Sequence, residues 1–386
     1  MRVLIAFDKF KHCLSATRAC ELTATTLRTL QPDWSVDLCP LTDGGEGFCE
    51  ILTRAGGGSL HAITVTGPRG DPVDACFGLV PFENIPPAAR ALLSLPACSA
   101  TGMVALVEMA QASGLGLLPP ERRDPWHATT RGTGELIRAA HAAGARTILL
   151  GVGGSATHDL GAGALAALGL RFLNAGEHPL ANPTPARWPE IIRVDGHLPD
   201  DLPPIRIACD VANPLLGPGG AAAVYGPQKG LATSRIQELD NASARLAGLL
   251  IAQAGAPAGL AATPGSGAAG GIAFGFLCSA RALLVPGSDL VSAWLDLDAR
   301  LAAAGMVITG EGRFDESSLS GKGPGALVVR ARNHGKPAHV FAGRIAVPPV
   351  DGCTLHGITP VSHTHDQALR EATPNLIRAL QTVFAQ

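Results

Sequence analysis

Lysine is scarce in this chain of 386 residues, in which arginine supplies most of the positive charge. The five lysines are Lys9, Lys11, Lys229, Lys322 and Lys336. Four of them fall within the short motifs DKFK, GPQKG and SGKGP. Because a compact ammonium group acts as a point charge on phosphates, which a planar guanidinium does not closely imitate, these four lysines indicate where a binding site lies.

Aromatic and charged residues are also few, at 4% and 16% of the chain, whereas 46% of the residues are hydrophobic. A core of this composition is built from Ala, Leu, Val and Ile, which favours helices packed on a mainly parallel sheet. The length exceeds that of one ordinary core, so about two domains are expected.

Three kinds of protein are disfavoured by what the sequence does not contain. No long basic run occurs and the net charge is −2, which argues against a nucleic-acid partner. The least polar stretch, 267–280, is shorter than the ~18–20 residues that a bilayer requires, and charge appears too early for a signal peptide. Nine cysteines without CxxC spacing predict reduced thiols in a cytoplasmic protein and no zinc site.

Alternating strands and helices occur at both ends of the chain. Residues 2–7 and 36–41 read as strands, and Ser15 is expected to cap a helix over 16–30. The alternation returns after Ser288, with a helix to residue 304 and a strand over 306–309. We therefore predict an α/β fold in which residues 1–62 and 288–386 form a doubly wound domain and residues 63–287 form a second, inserted α/β domain.

Further local structure is predicted from capping residues and hydrophobic runs. Thr133 is expected to cap a helix over 134–143, and Gly310–Asp315 is expected to be a loop. The remaining predictions are strands over 147–150, 205–209 and 338–341, and helices over 233–254, 324–334 and 367–384.

Two glycine-rich segments have the spacing of phosphate-binding loops. Gly151–Ala156 follows a predicted strand and matches the loose dinucleotide pattern GxGxxA, with Glu177 in the region of a ribose-binding acid. This match leaves an NAD-dependent hydroxy-acid dehydrogenase open as an alternative. A second match, Gly265–Gly270, follows no predicted strand, and neither segment is a P-loop because no Gly-Lys-Ser/Thr follows.

Acidic residues in glycine-bearing loops after predicted strands are more informative. They are Asp43, Glu46, Asp159, Asp210, Glu311 and Asp315. Phosphoryl transfer uses carboxylates to hold Mg²⁺, a base for the acceptor hydroxyl, and cations around the moving phosphate. Hydride transfer needs no such set of acids, so a kinase is favoured. His363 and His365 are expected to be solvated, and Cys209 is expected to be a core residue.

These motifs, taken in order, resemble the type 1 glycerate kinases of bacteria over nearly the whole chain. The matching segments are FDKFKHCLSA, LTDGGEGF, VTGPRGDPV, VEMAQASGL, TTRGTGELI, GVGGSATHD, ACDVANPLLGPGGAAAVYGPQKG, GSGAAGG, VITGEGRFD and SGKGP. The resemblance implies a flavodoxin-like domain joined to a second α/β domain. It also implies ATP-dependent phosphorylation of D-glycerate, generally at the 2-hydroxyl.

The chain departs from the family pattern at a few positions, while the charged residues of the motifs are intact. His158 and Leu160 stand where Asn and Gly are usual in GGSATNDGG, and Phe7, Gly323 and Arg344 replace Pro, Val and Ser. Activity is therefore expected, with a non-catalytic ligand-binding descendant as the alternative.

Roles for individual residues are a hypothesis built on these motifs and the resemblance. Asp43 is the expected base, and Lys322 the group that neutralises the transferred phosphoryl. Expected substrate contacts are Lys9, Lys11, Glu46, Lys229 and Arg313. Expected ATP-binding residues are Gly153, Gly154, Ser155, Gly267 and Gly270. Asp210 and Asp315 are the expected Mg²⁺ ligands. The sequence does not indicate the oligomeric state, and physical argument alone does not distinguish phosphorylation of the 2-hydroxyl from that of the 3-hydroxyl.

Overall fold

The structure is a computed structural model that describes residues 1–95, 101–319 and 323–385. The expected catalytic Lys322 lies outside the described residues. Within these ranges the strands are β1 (Arg2–Phe7), β2 (Ser35–Leu38), β3 (Ser59–Thr66), β4 (Pro72–Pro81), β5 (Met103–Glu108), β6 (Ala145–Gly151), β7 (Arg171–Leu173), β8 (Arg193–Asp195), β9 (Ile205–Ala208), β10 (Ala282–Val285), β11 (Met306–Phe314), β12 (Ala338–Ile345) and β13 (Cys353–Gly357).

The α-helices are named in the same way. They are α1 (Ala16–Leu30), α2 (Phe48–Ala55), α3 (Pro87–Leu93), α4 (Ala110–Ser113), α5 (Arg131–Ala142), α6 (Ala162–Ala167), α7 (Ala221–Tyr225), α8 (Ile236–Ala254), α9 (Ala268–Ser279), α10 (Gly287–Trp294), α11 (Leu297–Ala303), α12 (Glu316–Leu319), α13 (Gly323–Asn333), α14 (His365–Arg370) and α15 (Ala372–Phe384). No helix among the described residues combines the length and the hydropathy needed to cross a bilayer.

The chain divides into two compact units. The terminal unit contains Met1–Asp43 and Val291–Gln386, and the central unit contains Gly44–Leu290. The boundaries between the units lie at 43/44 and 290/291, compared with 62/63 and 287/288 in the predicted domain division.

The terminal unit contains one parallel sheet with the strand order β2-β1-β11-β12-β13. In order of appearance within this unit the strands run 2-1-3-4-5, which is the flavodoxin-like doubly wound order. Val3 to Phe7 of β1 are fully buried, as expected for a central strand covered on both faces. The α1 and α15 side chains, including Leu27 and Leu376, pack into the same core. The predicted α/β fold class is confirmed.

The central unit is built on a mixed sheet of six strands in the order β10-β9-β6-β5-β4-β3. The strands from β10 to β5 are parallel, whereas β4 and β3 are antiparallel to their neighbours. The short strands β7 and β8 form a separate antiparallel pair. One continuous hydrophobic core joins the sheet to α5, α6, α8 and α9.

Several helix boundaries agree with the sequence predictions. Ser15 caps α1, its hydroxyl accepting a hydrogen bond from the Arg18 amide at 3.2 Å. Helix α8 ends at the predicted residue, although it begins at Ile236 after a short 3₁₀ turn. The predicted C-terminal helix is divided into α14 and α15, and α14 is capped by Thr364.

Three local predictions were wrong, two of them because tertiary contacts override local signals. Thr133 does not cap α5, which begins at Arg131; its hydroxyl instead bonds Ser113 at 2.8 Å. The predicted loop over 310–315 is mostly strand, since β11 continues pairing with β12 as far as Phe314. The predicted helix from Ser288 to residue 304 is interrupted at Asp296, which has a φ of 51°.

Two histidines stack at the β12–β13 edge of the terminal unit. His339 Nδ1 lies 3.0 Å from His356 Nε2, and the His356 ring stacks on Phe341 with centroids 4.5 Å apart. Burial, together with the charge of the neighbouring His339, lowers the pKa of His356 to about 4. The folded state therefore disfavours the charged imidazole.

This histidine stack predicts an acid-dependent loss of stability. Because the folded pKa of His356 is below its unfolded value near 6.5, its contribution to stability is complete above that value and falls as pH decreases toward about 4. We expect the Tm of the wild type to fall more between about pH 7 and about pH 5 than that of His356→Phe, measured by circular dichroism. His197→Phe, at an exposed position, is the control. Equal decreases for wild type and His356→Phe would contradict the prediction.

Candidate functional site

A cavity of about 880 Å³ lies in the terminal unit, at the carboxyl ends of β1, β11 and β12. Strands β1 and β11 are neighbours whose connections diverge, and ligands of doubly wound sheets bind at such a switch point. The ionisable side chains lining the cavity are Asp8, Lys9, Lys11, His12, Cys13, Asp43, Glu311, Arg313, Asp315, Arg344, His363 and His365. Five predicted site residues are therefore brought together: Lys9, Lys11, Asp43, Arg313 and Asp315.

The loop after β1 presents its lysines through one buried aromatic anchor. Phe10 is 3% exposed, and its ring lies 6.1 Å from that of Phe7 in the core. The loop closes on itself because the Phe10 amide donates to the Leu14 carbonyl at 2.8 Å. Lys9 and Lys11 flank this anchor, and both line the cavity.

Lys9 lies between two carboxylates. Its Nζ is 3.3 Å from Asp43 Oδ1 and 3.6 Å from Asp8 Oδ1. Burial raises the pKa of Asp8, Lys9 lowers it, and Asp43 raises it. The Lys9 charge thus holds together two acids that would otherwise repel each other.

A second acidic group lies at the end of β11. Burial raises the pKa of Glu311 to about 7; a hydrogen bond from Ser318 lowers it, and the charges of Asp8 and Asp315 raise it. Glu311 Oε1 is buried without a hydrogen-bond partner among the described residues. Asp315 Oδ2 pairs with Arg313 Nε at 2.9 Å. The cavity is therefore lined by a glutamate that has one buried carboxylate oxygen without a hydrogen-bond donor among the described residues.

Sequence reasoning did not select Asp8, Arg344 or His363 for the site. Asp8 directly follows β1, so the same strand-end rule that selected Asp43 could have found it. The expectation of solvated histidines was wrong for His363: its side chain is 17% exposed, lies 3.7 Å from Glu371 and lines the cavity. No local signal marked His363, because folding of the chain after β13 places it there.

Lys229, in the central unit, is a buried lysine that binds other parts of the protein. It is 1% exposed, and its Nζ donates to Ser155 Oγ and to the Thr157 carbonyl, both at 2.7 Å. Burial lowers the pKa of Lys229 to about 7, whereas the charge of Asp159 raises it. In this structure the lysine holds the loop that contains the predicted glycine motif.

The predicted phosphate-binding glycines allow close backbone contacts within the central unit. The Gly153 amide donates to the Gly44 carbonyl at 3.0 Å, and a Cβ on Gly153 would lie 2.7 Å from Gly45 Cα. The Gly267 amide donates to the Asn213 carbonyl at 3.0 Å. These two amides are thus occupied by protein acceptors.

Gly154 and Gly270 differ from these glycines in backbone conformation. Gly154 has a φ of 75° and Gly270 a φ of 73°, in the left-handed region that favours glycine. The chain just after the first glycine segment contacts the second, since the Leu160 amide donates to the Gly270 carbonyl at 3.1 Å.

The structural context of a dinucleotide motif is absent from this loop. Helix α6 begins at Ala162, well after the glycines, and has only six residues. Glu177 lies beyond β7 and forms an ion pair with Arg193. The dehydrogenase alternative therefore loses its structural support.

The other predicted acids of the central unit have different surroundings. Asp210 accepts hydrogen bonds from the Ser288 amide at 3.0 Å and the Ser288 hydroxyl at 2.6 Å, at the start of α10. Glu46 is exposed. Across 1–95, 101–319 and 323–385, no group of three or more His, Cys, Asp or Glu side chains has the arrangement of a metal site.

Comparison with known proteins assigns nearly the whole chain to one family. The model of the glycerate kinase family matches residues 3–386. The chain belongs to the glycerate kinase family. It is 36% identical to the glycerate 2-kinase of Escherichia coli K12, over 100% of this chain and 97% of the relative. It is 38% identical to the glycerate kinase of Bacillus subtilis 168, over 90% of this chain and 86% of the relative.

A solved structure supports the assignment to the glycerate kinase family. A crystal structure provisionally described as glycerate kinase 2 from Salmonella typhimurium LT2 superposes with a TM-score of 0.76 at 36% identity. The match covers 100% of this chain and 97% of that one.

One departure from the family pattern has a structural consequence. Leu160, where the pattern has glycine, adopts a φ of 55° and is fully buried. A leucine in this backbone region costs about 1–2 kcal/mol relative to an ordinary conformation. Its side chain packs in the central-unit core, which offsets that cost.

Asp159 is predicted to act in folding rather than in chemistry. It is 1% exposed and accepts hydrogen bonds from the Thr130 amide and hydroxyl and from the Gly161 and Gly163 amides. Asp159→Ala leaves these donors unsatisfied, so we expect a loss of about 3 kcal/mol or more in the free energy of unfolding, measured in urea. Asp201→Ala, with a side chain 80% exposed, is the control and should change little. Equal stability of the two variants would contradict this role.

Proposed function

We propose that this chain transfers the γ-phosphoryl group of ATP to D-glycerate, at the 2-hydroxyl, with Mg²⁺ as the metal. Membership of the glycerate kinase family over residues 3–386 and the name of the Escherichia coli relative support this substrate and position. A cytoplasmic location is part of the proposal, supported by free thiols at all the described cysteines.

The terminal-unit cavity is the observation that carries this proposal. It combines cations and carboxylates at a switch point, and phosphoryl transfer depends on positioning and electrostatic stabilisation by such groups. Its volume of about 880 Å³ lies within the ~300–1,000 Å³ range of small-molecule sites.

Cations of the cavity are suited to bind the glycerate carboxylate. Lys11 and Arg344 line the cavity, and Arg313 is held there beside Asp315. A guanidinium can bind a carboxylate through two parallel hydrogen bonds, which fixes the orientation of a small substrate. We assign the carboxylate to Lys11 and Arg344, with Arg313 nearby.

Asp43 is the proposed base for the substrate hydroxyl. Its side chain is 43% exposed and lines the cavity, and its Oδ1 accepts a hydrogen bond from the Lys9 ammonium at 3.3 Å. The Lys9 ammonium orients this carboxylate, whose proposed role is to accept the proton of a bound hydroxyl. Lys9 is therefore assigned to position Asp43.

The donor set of the cavity also fits a magnesium ion. Mg²⁺ prefers oxygen ligands and is usually held by one or two carboxylates together with substrate phosphates. Among the described residues Glu311 supplies a buried oxygen without a protein donor, and Asp315 lies close enough to raise the pKa of Glu311. We propose Asp315 and Glu311 as the residues that hold the ion, since the Asp210 carboxylate is engaged by Ser288. When bound, the metal would neutralise charge on the phosphates.

In the central unit, we propose that Gly154, Ser155 and Gly270 contribute to ATP binding. Lys229 fixes Ser155 and Thr157, so its proposed role is to hold this loop in shape. Lys322 remains the proposed group that neutralises charge on the transferred phosphoryl.

A direct assay tests the proposed reaction. The protein is incubated with ATP, Mg²⁺ and D-glycerate, and phosphorus NMR resolves 2-phosphoglycerate from 3-phosphoglycerate. We expect 2-phosphoglycerate, and no turnover when L-glycerate replaces D-glycerate. Formation of 3-phosphoglycerate would overturn the proposed position, and an absence of either product would overturn the proposed activity.

Asp43→Asn tests the proposed base. The amide cannot accept the hydroxyl proton, so we expect kcat to fall by about 100-fold or more while KM for D-glycerate changes little. The exposed Asp33→Asn is the matched control. If Asp43→Asn retains near-full turnover with an unchanged circular dichroism spectrum, the base is another residue, and Asp8→Asn is then the next variant to measure.

A further inference from the structure

Two cysteines of the central unit lie side by side, outside the cavity described above. Cys49 is the second residue of α2, and Cys76 lies on β4. Cys49 Sγ is 3.8 Å from the Cys76 carbonyl oxygen and 3.3 Å from that of Leu106. The Cys49 thiol also hydrogen-bonds the Cys76 side chain. The two cysteines are therefore neighbours.

The two thiols have unequal reactivity. The pKa of Cys76 is lowered to about 7, because hydrogen bonds from Cys49 and Gln111 lower it by more than burial raises it. The hydrogen bond between the two cysteines, followed by burial, raises the pKa of Cys49 well above its ordinary value. Cys76 is partly exposed, whereas Cys49 is buried. A partly exposed thiolate beside a second thiol is the arrangement of a redox-sensitive pair.

Other described thiols lack this arrangement. Burial raises the pKa of Cys20 and Cys39 to about 12 and that of Cys278 and Cys353 to about 11. A thiol that stays protonated at neutral pH is a poor nucleophile. Oxidation is therefore expected to select Cys76 over these four.

We propose that Cys76 and Cys49 form a site of reversible oxidation by hydroperoxides. The Cys76 thiolate attacks the peroxide oxygen, the O–O bond breaks, and Cys76 sulfenic acid and an alcohol or water are formed. The Cys49 sulfur then attacks the sulfenic sulfur, and the hydroxyl leaves as water with the Cys49 proton. Two thiols and one peroxide thus yield one disulfide and the reduced peroxide products, and a dithiol reverses the reaction.

The start of α2 connects this pair to a predicted functional loop. The Cys49 amide donates to Glu108 Oε2 at 3.2 Å, which anchors the first turn of α2. Immediately before this turn, the Gly44 carbonyl accepts the Gly153 amide at 3.0 Å. A Cβ on Gly151 would lie 2.7 Å from the Phe48 ring, so the Gly151 backbone and this ring are in close contact.

A disulfide requires the two sulfur atoms to reach bonding distance, and we expect this movement to displace the first turn of α2. This displacement reaches the Gly151–Ser155 loop through the Gly44 and Phe48 contacts. We expect oxidation to reduce turnover, and this consequence rests on the proposed kinase function, whereas disulfide formation does not.

Peptide mapping of the full-length protein tests the chemistry. Reduced protein is treated with hydrogen peroxide, alkylated with N-ethylmaleimide and analysed by mass spectrometry. With alkylation carried out on denatured protein, so that buried Cys49 is accessible, we expect a Cys49–Cys76 disulfide peptide, loss of two alkylated thiols, and recovery of both with dithiothreitol. Cys76→Ser should abolish the bridge, whereas Cys353→Ser, with a partly buried thiol elsewhere, should not.

If Cys49 and Cys76 can both still be alkylated after peroxide treatment, the proposed disulfide is wrong. It is also wrong if Cys76 is over-oxidised without a bridge to Cys49. Cys49→Ala should also abolish the bridge. Because Cys49 is fully buried, this variant counts only if its circular dichroism spectrum is unchanged. If Cys49→Ala does not fold, Cys76→Ser decides the result.

Turnover measured on the same samples tests the coupling. We expect a several-fold, dithiothreitol-reversible decrease in kcat for the wild type and no decrease for Cys76→Ser. A formed bridge with unchanged kcat would overturn the coupling. A reduced wild type without glycerate phosphorylation would instead overturn the proposed function, and the mapped disulfide would still stand.

Discussion

Pairing between β1 and β11 is the constraint on which the proposed site depends. Val3 pairs with Met306 and Phe7 with Gly310, so segments about 300 residues apart in sequence share one parallel ladder. Parallel strands end at the same edge of a sheet, and Asp8 to Lys11 therefore emerge beside Glu311 to Asp315. The buried β1 residues, Val3 to Phe7, hold this ladder in place by packing against the layers on both faces of the sheet.

Charged side chains in the cavity are suited to bind a ligand because other protein groups neutralise them only in part. Lys9 bridges Asp8 and Asp43, and Arg313 pairs with Asp315, whereas Glu311 has an oxygen without a partner among the described residues. Neighbouring, partly buried carboxylates repel each other when ionised, and this repulsion costs free energy unless a cation reduces it. This is the electrostatic reason for assigning Glu311 and Asp315 to a metal. In the central unit the balance differs, since Lys229 is enclosed by protein acceptors and stabilises a loop.

Much of the fold could be predicted from local patterns. The apolar run of β1 and the cap at Ser15 determined their elements because hydrophobic periodicity and capping act over a few residues. The extension of β11 to Phe314 could not be predicted, because it depends on pairing with β12 rather than on the glycines of its own sequence. Thr133 was misassigned for a similar reason: a hydroxyl that can cap a helix can also bond a distant side chain.

For the site, the sequence by itself determined which residue types were available: scarce lysines in motifs, acids after strands, and glycines where backbones approach closely. Tertiary structure decided what each could do. Lys9 and Lys229 are the same residue type in equally distinctive motifs, yet one lines a cavity and the other is buried against Ser155. The difference arises because burial and hydrogen-bond partners, which depend on distant segments, set the solvation and the pKa of a charged group.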